Sequence, residues 1–316
     1  MITESRIATN GIELKIAEQG QGPLVLLLHG FPESWYSWRH QFEPIANAGF
    51  KCVAPDMRGY GDSDAPEDIA AYNQVEVVND IVGLVSALGY EQAIVIGHDW
   101  GAPTAWSCAK DFPEVFTAVG ALSVPFSPRP ETPPLDTLKA IFKDMFFYQL
   151  YFQEPGVAEA ELERDIEVSL RKFLHMASGD VDVTSFQPKP ADADLLSDLA
   201  DPGKLGDWCS EQDLAYYVSQ FEKHGFRGPL SYYRNHNETW SMTSDRPVEI
   251  HQPAMFAAGD KDGVIMMAAE ALKNMSKHVK DLRINQLIPG AGHWTQQEAP
   301  DVVNQLIVQF LQEVSQ

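Results

Sequence analysis

The chain has few cysteines, few basic residues and no long apolar run, and each shortage excludes a class of protein. Its three cysteines, Cys52, Cys108 and Cys209, are far apart and form no C-x-x-C pair, so the sequence indicates neither a disulfide framework nor a zinc site. The longest apolar runs, such as residues 24–28, are far too short to cross a membrane. The first residues contain no apolar segment typical of a secretory signal, so we expect a reducing, cytoplasmic environment.

The shortage of basic residues argues against nucleic acid as a partner. The 316 residues include 23 Lys plus Arg against 45 Asp plus Glu, which gives a formal charge of −22. Such a surface repels nucleic acid and anionic lipid. Apolar residues make up 44% of the chain, enough for a substantial core. We therefore expect a soluble globular protein that acts on a small molecule, and a homodimer is compatible with the sequence.

Short apolar runs alternate with helical patterns near both ends of the chain. Uninterrupted runs of this length are typical of strands buried on both faces, as in a parallel sheet. The alternation predicts a doubly wound α/β sheet, in which ligands bind beyond the carboxyl ends of the strands. The apolar runs predict strands at 24–28, 52–56, 93–97, 119–124, 254–258 and 284–288, and alternating apolar and polar residues predict a half-exposed strand at 12–18. The predicted helices are 75–88, 101–112 and 302–314.

The middle of the chain follows a different pattern. From about residue 125 to residue 247 the alternation of strands and helices stops, and a group of prolines between 125 and 134 marks the exit from the sheet. We predict an inserted helical cap at 128–246, between a first core segment at 1–127 and a second at 247–316. Its predicted helices are 138–152, 157–176 and 211–224.

One short motif carries the candidate nucleophile. Residues 97–101 have the sequence Gly-His-Asp-Trp-Gly and lie between a predicted strand and a predicted helix. This is the context of a nucleophile elbow, a sharp turn that exposes its central side chain above the sheet. The central residue is Asp99, where an esterase has serine. Taken alone, the five residues fit better an aspartate that caps the N-terminus of a helix.

Three other segments, each after a predicted strand, favour a catalytic site. The segment His-Gly-Phe at 29–31 places the backbone N–H of Phe31 where this kind of site has an oxyanion donor, beside the N–H of Trp100. Asp262 follows the strand at 254–258, with Asp260 as a rival, and His293 follows the strand at 284–288. Each segment alone fits a surface turn or a structural histidine. Together they give nucleophile, acid and base in the α/β-hydrolase order.

On these motifs the chain resembles the soluble epoxide hydrolases of the α/β-hydrolase superfamily. The resemblance covers nearly the whole chain and rests on core segments 29–35, 56–63, 98–101 and 292–295 and on cap segments 148–156 and 225–230. It implies the α/β-hydrolase fold, a mostly parallel twisted sheet with flanking helices and a helical cap. It also implies hydrolysis of small apolar epoxides by water to vicinal diols, without a metal or other cofactor. Detoxification is one physiological role that fits.

The resemblance implies a role for each candidate residue. Asp99 would attack an epoxide carbon and form an alkyl ester, a displacement at an sp³ carbon that suits a carboxylate. Tyr148 and Tyr233 match the cap tyrosines that would donate protons to the leaving alkoxide. His293 would deprotonate the water that hydrolyses the ester, and Asp262 would orient its ring.

The resemblance also implies which other groups surround the reacting atoms. Backbone N–H groups of Phe31 and Trp100 would form the oxyanion hole. The remaining cap tyrosines, Tyr151, Tyr217 and Tyr232, are predicted to pack structurally. The side chains predicted to contact substrate are Phe31, Trp100, Tyr148, Tyr233 and Trp294.

Two alternative functions remain at this stage. Haloalkane dehalogenases share the His-Asp-Trp-Gly elbow, but they stabilise a halide with paired N–H donors and need no cap tyrosines. Here Phe31 stands where many of them carry asparagine. A non-catalytic binding protein with a hydrolase fold is the other alternative. Such proteins usually lack a member of the triad, whereas Asp99, Asp262 and His293 are all present.

Overall fold

The structure is a computed structural model that describes residues 1–315, and it contains one eight-stranded sheet flanked by helices. The strands are β1 Thr3–Thr9, β2 Ile12–Gln19, β3 Leu24–Leu28, β4 Lys51–Pro55, β5 Ala93–His98, β6 Phe116–Leu122, β7 Ile250–Gly259 and β8 Val279–Ile288. The α-helices are α1 Phe42–Asn47, α2 Gln74–Ala87, α3 Gly101–Asp111, α4 Pro134–Ile141, α5 Tyr148–Tyr151, α6 Val157–Leu162, α7 Ile166–Met176, α8 Glu211–His224, α9 Arg227–Arg234, α10 His236–Met242, α11 Gly263–Met267, α12 Ala269–His278, α13 Thr295–Glu298 and α14 Pro300–Val314. Short 3-10 helices are Trp35–Trp38, Ile69–Tyr72 and Val183–Ser185.

The sheet confirms the predicted α/β class and its mostly parallel character. The strand order is β1-β2-β4-β3-β5-β6-β7-β8. The first two strands run antiparallel to each other, and β2 is antiparallel to β4. Every other neighbouring pair is parallel. The catalytic segments therefore follow strands whose carboxyl ends meet at one edge of the sheet.

The central strands bury side chains on both faces, as their continuous apolar runs predict. In β3, Leu24, Leu26 and Leu28 face one apolar cluster, while Val25 and Leu27 face the other. All five side chains are at most 1% exposed. Burial of each such side chain contributes about 1.5–3 kcal/mol. This packing fixes the positions at which the chain leaves the sheet after β3, β5, β7 and β8, and with them the positions of the loops that carry the candidate catalytic residues.

Two of the three predicted cap helices are broken. The predicted helix at 138–152 is interrupted between α4 and α5, because the chain there pairs with a neighbouring segment: Met145 forms an isolated bridge with Pro190, and the N–H of Phe146 donates to the carbonyl of Lys189. The predicted helix at 157–176 is divided into α6 and α7, since Asp165 caps the N-terminus of α7. The predicted helix at 211–224 is confirmed as α8.

The segment between β6 and β7 contains only helices and loops apart from that isolated bridge. The predicted cap boundaries at 128 and 246 fall in the loops that precede α4 and follow α10. Within the described part of the chain, no helix is both long enough and apolar enough to traverse a bilayer.

The turn at 56–63 after β4 supports the helices above the sheet. The carbonyl of Arg58 accepts a 3.0 Å hydrogen bond from the hydroxyl of Tyr232 in α9, and the guanidinium of Arg58 is paired with Asp80 at 2.6 Å. At the start of the turn, Asp56 is fully buried and accepts the N–H of Trp35 at 2.9 Å. Burial raises the pKa of Asp56 to about 7 despite that hydrogen bond.

This raised pKa predicts a loss of stability as pH rises. Between about pH 4 and pH 7 the folded protein keeps a proton on Asp56 that the unfolded chain releases, so the free energy of unfolding falls over that window, by up to about 4 kcal/mol. Asp56→Asn keeps the oxygen that accepts from Trp35 but cannot ionise. We expect the variant to lose this part of the fall in urea denaturation curves. Asp136→Asn, at an exposed position on α4, is the control, and equal slopes in wild type and Asp56→Asn would contradict the assignment.

Candidate active site

Asp99 occupies a sharp turn between β5 and α3. Its backbone φ is 48°, a left-handed conformation that costs an ordinary residue about 1 kcal/mol. Strand and helix approach so closely here that a Cβ atom on Gly97 would lie 1.9 Å from the carbonyl oxygen of Gly101. The small residues on either side of the turn are therefore required by space. This geometry is that of the predicted nucleophile elbow.

The Asp99 carboxylate points at two donors from other segments. Its Oδ1 accepts the backbone N–H of Phe31 at 2.7 Å, and its Oδ2 lies 3.3 Å from Nε2 of His293. The side chain is 16% exposed. It does not cap α3, whose N-cap is Trp100 with no side-chain capping bond. The alternative of a helix-capping aspartate is therefore wrong.

The structure brings His293 and Asp262 together with Asp99. Nδ1 of His293 lies 3.0 Å from Oδ2 of Asp262, which is 1% exposed. The other oxygen of Asp262 accepts the N–H of Val264 at 2.8 Å, so the carboxylate is fixed on both sides. The rival, Asp260, accepts the N–H of Gly290 at 2.8 Å and has a structural contact instead.

Hydrogen bonds from three segments hold the backbone of His293. Its N–H donates to the carbonyl of Ala177 at 2.8 Å. Its carbonyl accepts from Nε2 of His98 at 2.7 Å and from the hydroxyl of Ser123 at 2.9 Å. The ring is therefore positioned by the chain beneath it as well as by Asp262.

A buried Glu33–His98 pair lies behind the elbow. Oε2 of Glu33 is 2.7 Å from Nδ1 of His98, and both side chains are fully buried. The two Glu33 oxygens also accept N–H groups from Gly30, Gln296 and Gln297. Burial would raise the pKa of Glu33, but His98, His29 and the backbone N–H of Gly30 hold it below its ordinary value. The carboxylate is thus ionised, and it fixes the ring of His98.

Glu298, at the end of α13, is a carboxylate that sequence reasoning missed. It accepts backbone N–H groups from Gly179 at 2.8 Å, Gly292 at 2.9 Å and Trp294 at 3.0 Å. Gly179 follows α7, whereas Gly292 and Trp294 flank His293. Glu298 therefore ties the loop that carries His293 to the helical segment. Only the spacing of an acidic residue five positions after the histidine could have indicated it.

Opposing effects set the pKa values of the triad. Burial would raise the pKa of Asp99, but His293, His98 and the N–H of Phe31 bring it below its ordinary value. Burial would lower the pKa of His293, but Asp262 and Asp99 raise it well above its ordinary value. The free site therefore holds an imidazolium between two carboxylates.

A cavity of about 440 Å³ opens beside Asp99, and Trp100, Tyr148 and Tyr233 line it. The hydroxyl of Tyr148 accepts an N–H from Gln149 at 2.9 Å, which leaves its own proton free to face the cavity. The ring of Tyr233 packs edge-to-face on Trp100 at 5.0 Å. Burial raises the pKa of both phenols. Both tyrosines are therefore protonated at neutral pH.

Two residues that were expected to contact substrate do not line this cavity. Trp294 is fully buried and does not line the cavity, because its indole N–H donates to the carbonyl of Leu174 and its ring packs on His293. Contact between Trp294 and substrate stays a prediction from the sequence. The ring of Phe31 is 2% exposed and also absent from the cavity lining, so Phe31 faces the site through its N–H. Among residues 1–315 no group of three His, Cys, Asp or Glu side chains could hold a metal ion.

The helix that carries Tyr233 was not predicted. Helix α9 includes Gly228 and Pro229, which weaken its helical pattern in the sequence. The hydroxyl of Tyr232 donates to the carbonyl of Arg58 and that of Tyr151 donates to Glu161. Tyr217 donates to Gln297. These three tyrosines have the structural contacts that were expected of them.

Comparison with known proteins identifies the family. Residues 23–300 match the alpha/beta hydrolase fold family. Epoxide hydrolase A of Mycobacterium tuberculosis is 40% identical over 98% of this chain and 97% of its own length. Bifunctional epoxide hydrolase 2 of Mus musculus is 39% identical over 96% of this chain, which spans about half (54%) of that protein. The structure of an epoxide hydrolase from an endophytic Streptomyces matches with a TM-score of 0.96 at 41% identity, over 99% of this chain and 96% of that one. The chain therefore belongs to the epoxide hydrolases of the α/β-hydrolase superfamily, and the family, fold and ether-bond hydrolase activity that its motifs implied are confirmed.

Proposed function

We propose that this epoxide hydrolase acts through an ester of Asp99. The supporting observation is the carboxylate itself, which is held at the elbow by the N–H of Phe31 and faces His293 and the tyrosine-lined cavity. An oxygen of Asp99 attacks one epoxide carbon, and the bond from that carbon to the ring oxygen breaks. A lowered pKa keeps the nucleophile ionised for this step.

Tyr148 and Tyr233 supply the proton for the opening ring. Because burial raises the pKa of each phenol, both keep their protons until a stronger base appears. The alkoxide that leaves in ring opening is such a base. One phenol transfers its proton and the other stabilises the oxygen by a hydrogen bond.

His293 becomes a base only after the ester has formed. Esterification removes the charge of Asp99, one of the two carboxylates that raise the pKa of the imidazole. With Asp262 alone beside it, His293 passes its proton to the phenolate that ring opening leaves and can then accept one from water. The hydroxide attacks the ester carbonyl, and the diol leaves with the proton of His293. The Asp99 carboxyl group that results gives its proton to His293, which regenerates the free site.

The backbone N–H groups of Phe31 and Trp100 stabilise the oxyanion of this second step. In the free enzyme the Phe31 N–H already bonds to the Asp99 oxygen that becomes the carbonyl oxygen of the ester. One such donor typically contributes about 3 kcal/mol to the transition state. Residues 128–246 form the cap that supplies both tyrosines. A cytoplasmic location and a role in detoxification stay predictions from the sequence.

His293→Gln separates the two steps. We expect ester formation to continue while hydrolysis slows by about a thousandfold or more, because no group deprotonates water. Intact-protein and peptide mass spectrometry with styrene oxide should then find the mass of the epoxide added to the peptide that contains Asp99. Asp99→Asn is the control and should carry no adduct. An adduct on another residue, or full turnover in Asp99→Asn, would contradict the nucleophile.

Removal of both phenol hydroxyls should slow ring opening. We expect Tyr148→Phe and Tyr233→Phe each to lower kcat by about tenfold or more, and the double variant to lower it by at least about a hundredfold. Tyr151→Phe is the matched control, since Tyr151 lies on the same helix as Tyr148 but donates to Glu161. Steady-state kinetics with styrene oxide measure the effect. Retention of turnover by the double variant would exclude the acid role.

Glu298→Gln should act on the second step. The glutamine amide can accept through one oxygen only, and its NH₂ group would face an N–H donor, so at least one contact to the loop of His293 is lost. We expect about a tenfold slower ester hydrolysis in single-turnover experiments, with ester formation changed much less. Glu313→Gln, on the exposed side of α14, is the control. Equal slowing of both steps would indicate a purely structural role.

A further inference from the structure

The two tyrosines that line the cavity beside Asp99 come from different helices and have different neighbours. Tyr148 lies on α5 and Tyr233 lies on α9. Their ring centroids are 5.9 Å apart and the rings are nearly perpendicular, so one small ligand beside Asp99 can contact both hydroxyls. Ring opening consumes a single proton. The surroundings of each phenol therefore decide which of the two gives up its proton.

Gln149 supports a negative charge on Tyr148. Its side-chain amide donates to the Tyr148 oxygen at 2.9 Å, and Gln149 itself lines the cavity. Such a donor binds a phenolate more strongly than a phenol, because a hydrogen bond to an ionised acceptor is about twice as strong as a neutral one. Burial raises the pKa of Tyr148, and the amide of Gln149 is the largest effect that opposes it. Proton loss is therefore easier at Tyr148 than burial alone would allow.

Tyr233 has mainly aromatic neighbours. Its ring packs edge-to-face against Trp100 at 5.0 Å, Phe152 at 5.0 Å and Phe31 at 5.7 Å between ring centroids. Aromatic rings do not solvate a phenolate as an amide donor does. Burial and then the charge of Asp99 raise the pKa of Tyr233, and the opposing effect of Trp100 is small beside these. Tyr233 therefore holds its proton firmly.

Gln153 fixes the backbone of Gln149 relative to that of Tyr233. Its side-chain amide donates to the carbonyl of Gln149 at 2.6 Å and to the carbonyl of Tyr233 at 3.1 Å. Both carbonyls lie in the last turn of a helix, where carbonyls lack an intrahelical partner. One amide thus joins α5, which is only four residues long, to α9. The backbone from which the Gln149 side chain extends is therefore held in place.

The charge of the triad acid also reaches Tyr148. Asp262, beside Asp99, contributes to the raised pKa of Tyr148, whereas for Tyr233 the main carboxylate is Asp99. Asp262 is bonded to His293, the group that returns a proton to the phenolate in the mechanism above. Tyr148 is therefore the phenol placed for that return.

We propose that Gln149 is a positioning residue that makes Tyr148 the proton donor of ring opening, while Tyr233 keeps its proton and hydrogen-bonds the same oxygen. The proposal rests on the Asp99 ester mechanism stated above. As the bond from the attacked carbon to the epoxide oxygen breaks, the O–H bond of Tyr148 breaks too, and its proton goes to that oxygen. The electron pair of the O–H bond stays on Tyr148, against the N–H of Gln149, until His293 returns a proton.

Q149L removes the donor without adding a charge. We expect the rate of Asp99 ester formation with styrene oxide to fall by about tenfold or more in rapid-quench mass spectrometry, because the phenolate loses a charge-assisted hydrogen bond. Ester hydrolysis should not slow, since a less stable phenolate accepts the proton of His293 at least as readily. Q212L, at an exposed position on α8, is the matched control and should leave both rates unchanged. Equal slowing of both steps by Q149L would reject the assignment.

The tyrosine variants test which phenol Gln149 supports. In the Y148F background Q149L should have no further effect on ester formation, because the amide has no phenol oxygen to bind. In the Y233F background it should slow ester formation by the same factor as in wild type or by more. The reverse pattern, or an equal cost in both backgrounds, would overturn the proposal.

Q149E adds a readout that depends on the donor itself. A protonated carboxyl can donate to the Tyr148 oxygen as the amide does, whereas a carboxylate can only accept from it. The ratio of the Q149E rate of ester formation to the wild-type rate should therefore rise as pH falls, while the ratio for Q149L stays constant. Equal and constant ratios for the two variants would contradict a role of the N–H.

Ester formation itself separates this result from a failure of the enzyme mechanism. No adduct on Asp99 in wild type or in His293→Gln would contradict the ester mechanism, and the role of Gln149 with it. An adduct that forms at the wild-type rate in Q149L would reject the role of Gln149 and leave the mechanism intact. Misfolding of Q149L would show in circular dichroism and would slow ester formation in the Y148F background as well, and Q149E then supplies the test.

Discussion

The site depends on one hydrogen bond, from the backbone N–H of Phe31 to the carboxylate of Asp99, whose backbone is strained. The N–H of Phe31 reaches Asp99 from the loop after a different strand, and the φ of 48° at Asp99 is what turns the side chain toward it. The buried strands beneath fix the height of both loops. An error of about one ångström in that register would separate the donor from the nucleophile and remove the same donor from the later oxyanion.

Two buried acid–imidazole pairs lie side by side behind this bond. Asp262 holds the ring of His293, and Glu33 holds the ring of His98. The rings of His98 and His293 are 4.9 Å apart, and His98 donates to the carbonyl of His293. One pair therefore supports the backbone of the residue whose ring the other pair orients. Both imidazoles lower the pKa of Asp99 and so help to keep the nucleophile ionised.

The sequence predicted what depends on local periodicity and motif, and it missed what depends on distant contacts. Six apolar runs and one alternating segment located seven of the eight strands, but the polar edge strand β1 has neither pattern. Asp99, Asp262 and His293 follow strands in a recognisable order, so their proximity was predictable. Glu33 lies in one of the segments that carry the resemblance, and Glu298 carries no motif, but only the fold shows that each carboxylate binds several N–H groups. The full burial of Trp294 was not predicted, because adjacency to His293 in sequence gives no information on which way its ring points.

The close contact at Gly292 has a consequence for how such enzymes diversify. A Cβ atom on Gly292 would lie 2.2 Å from the backbone nitrogen of Gly179, so the histidine loop and the chain after α7 touch backbone to backbone. The carboxylate of Glu298 bridges the same two segments. A different set of helices between β6 and β7 would therefore have to form this contact with the loop that carries His293 again. Residues on the open side of the cavity have no such contact to preserve.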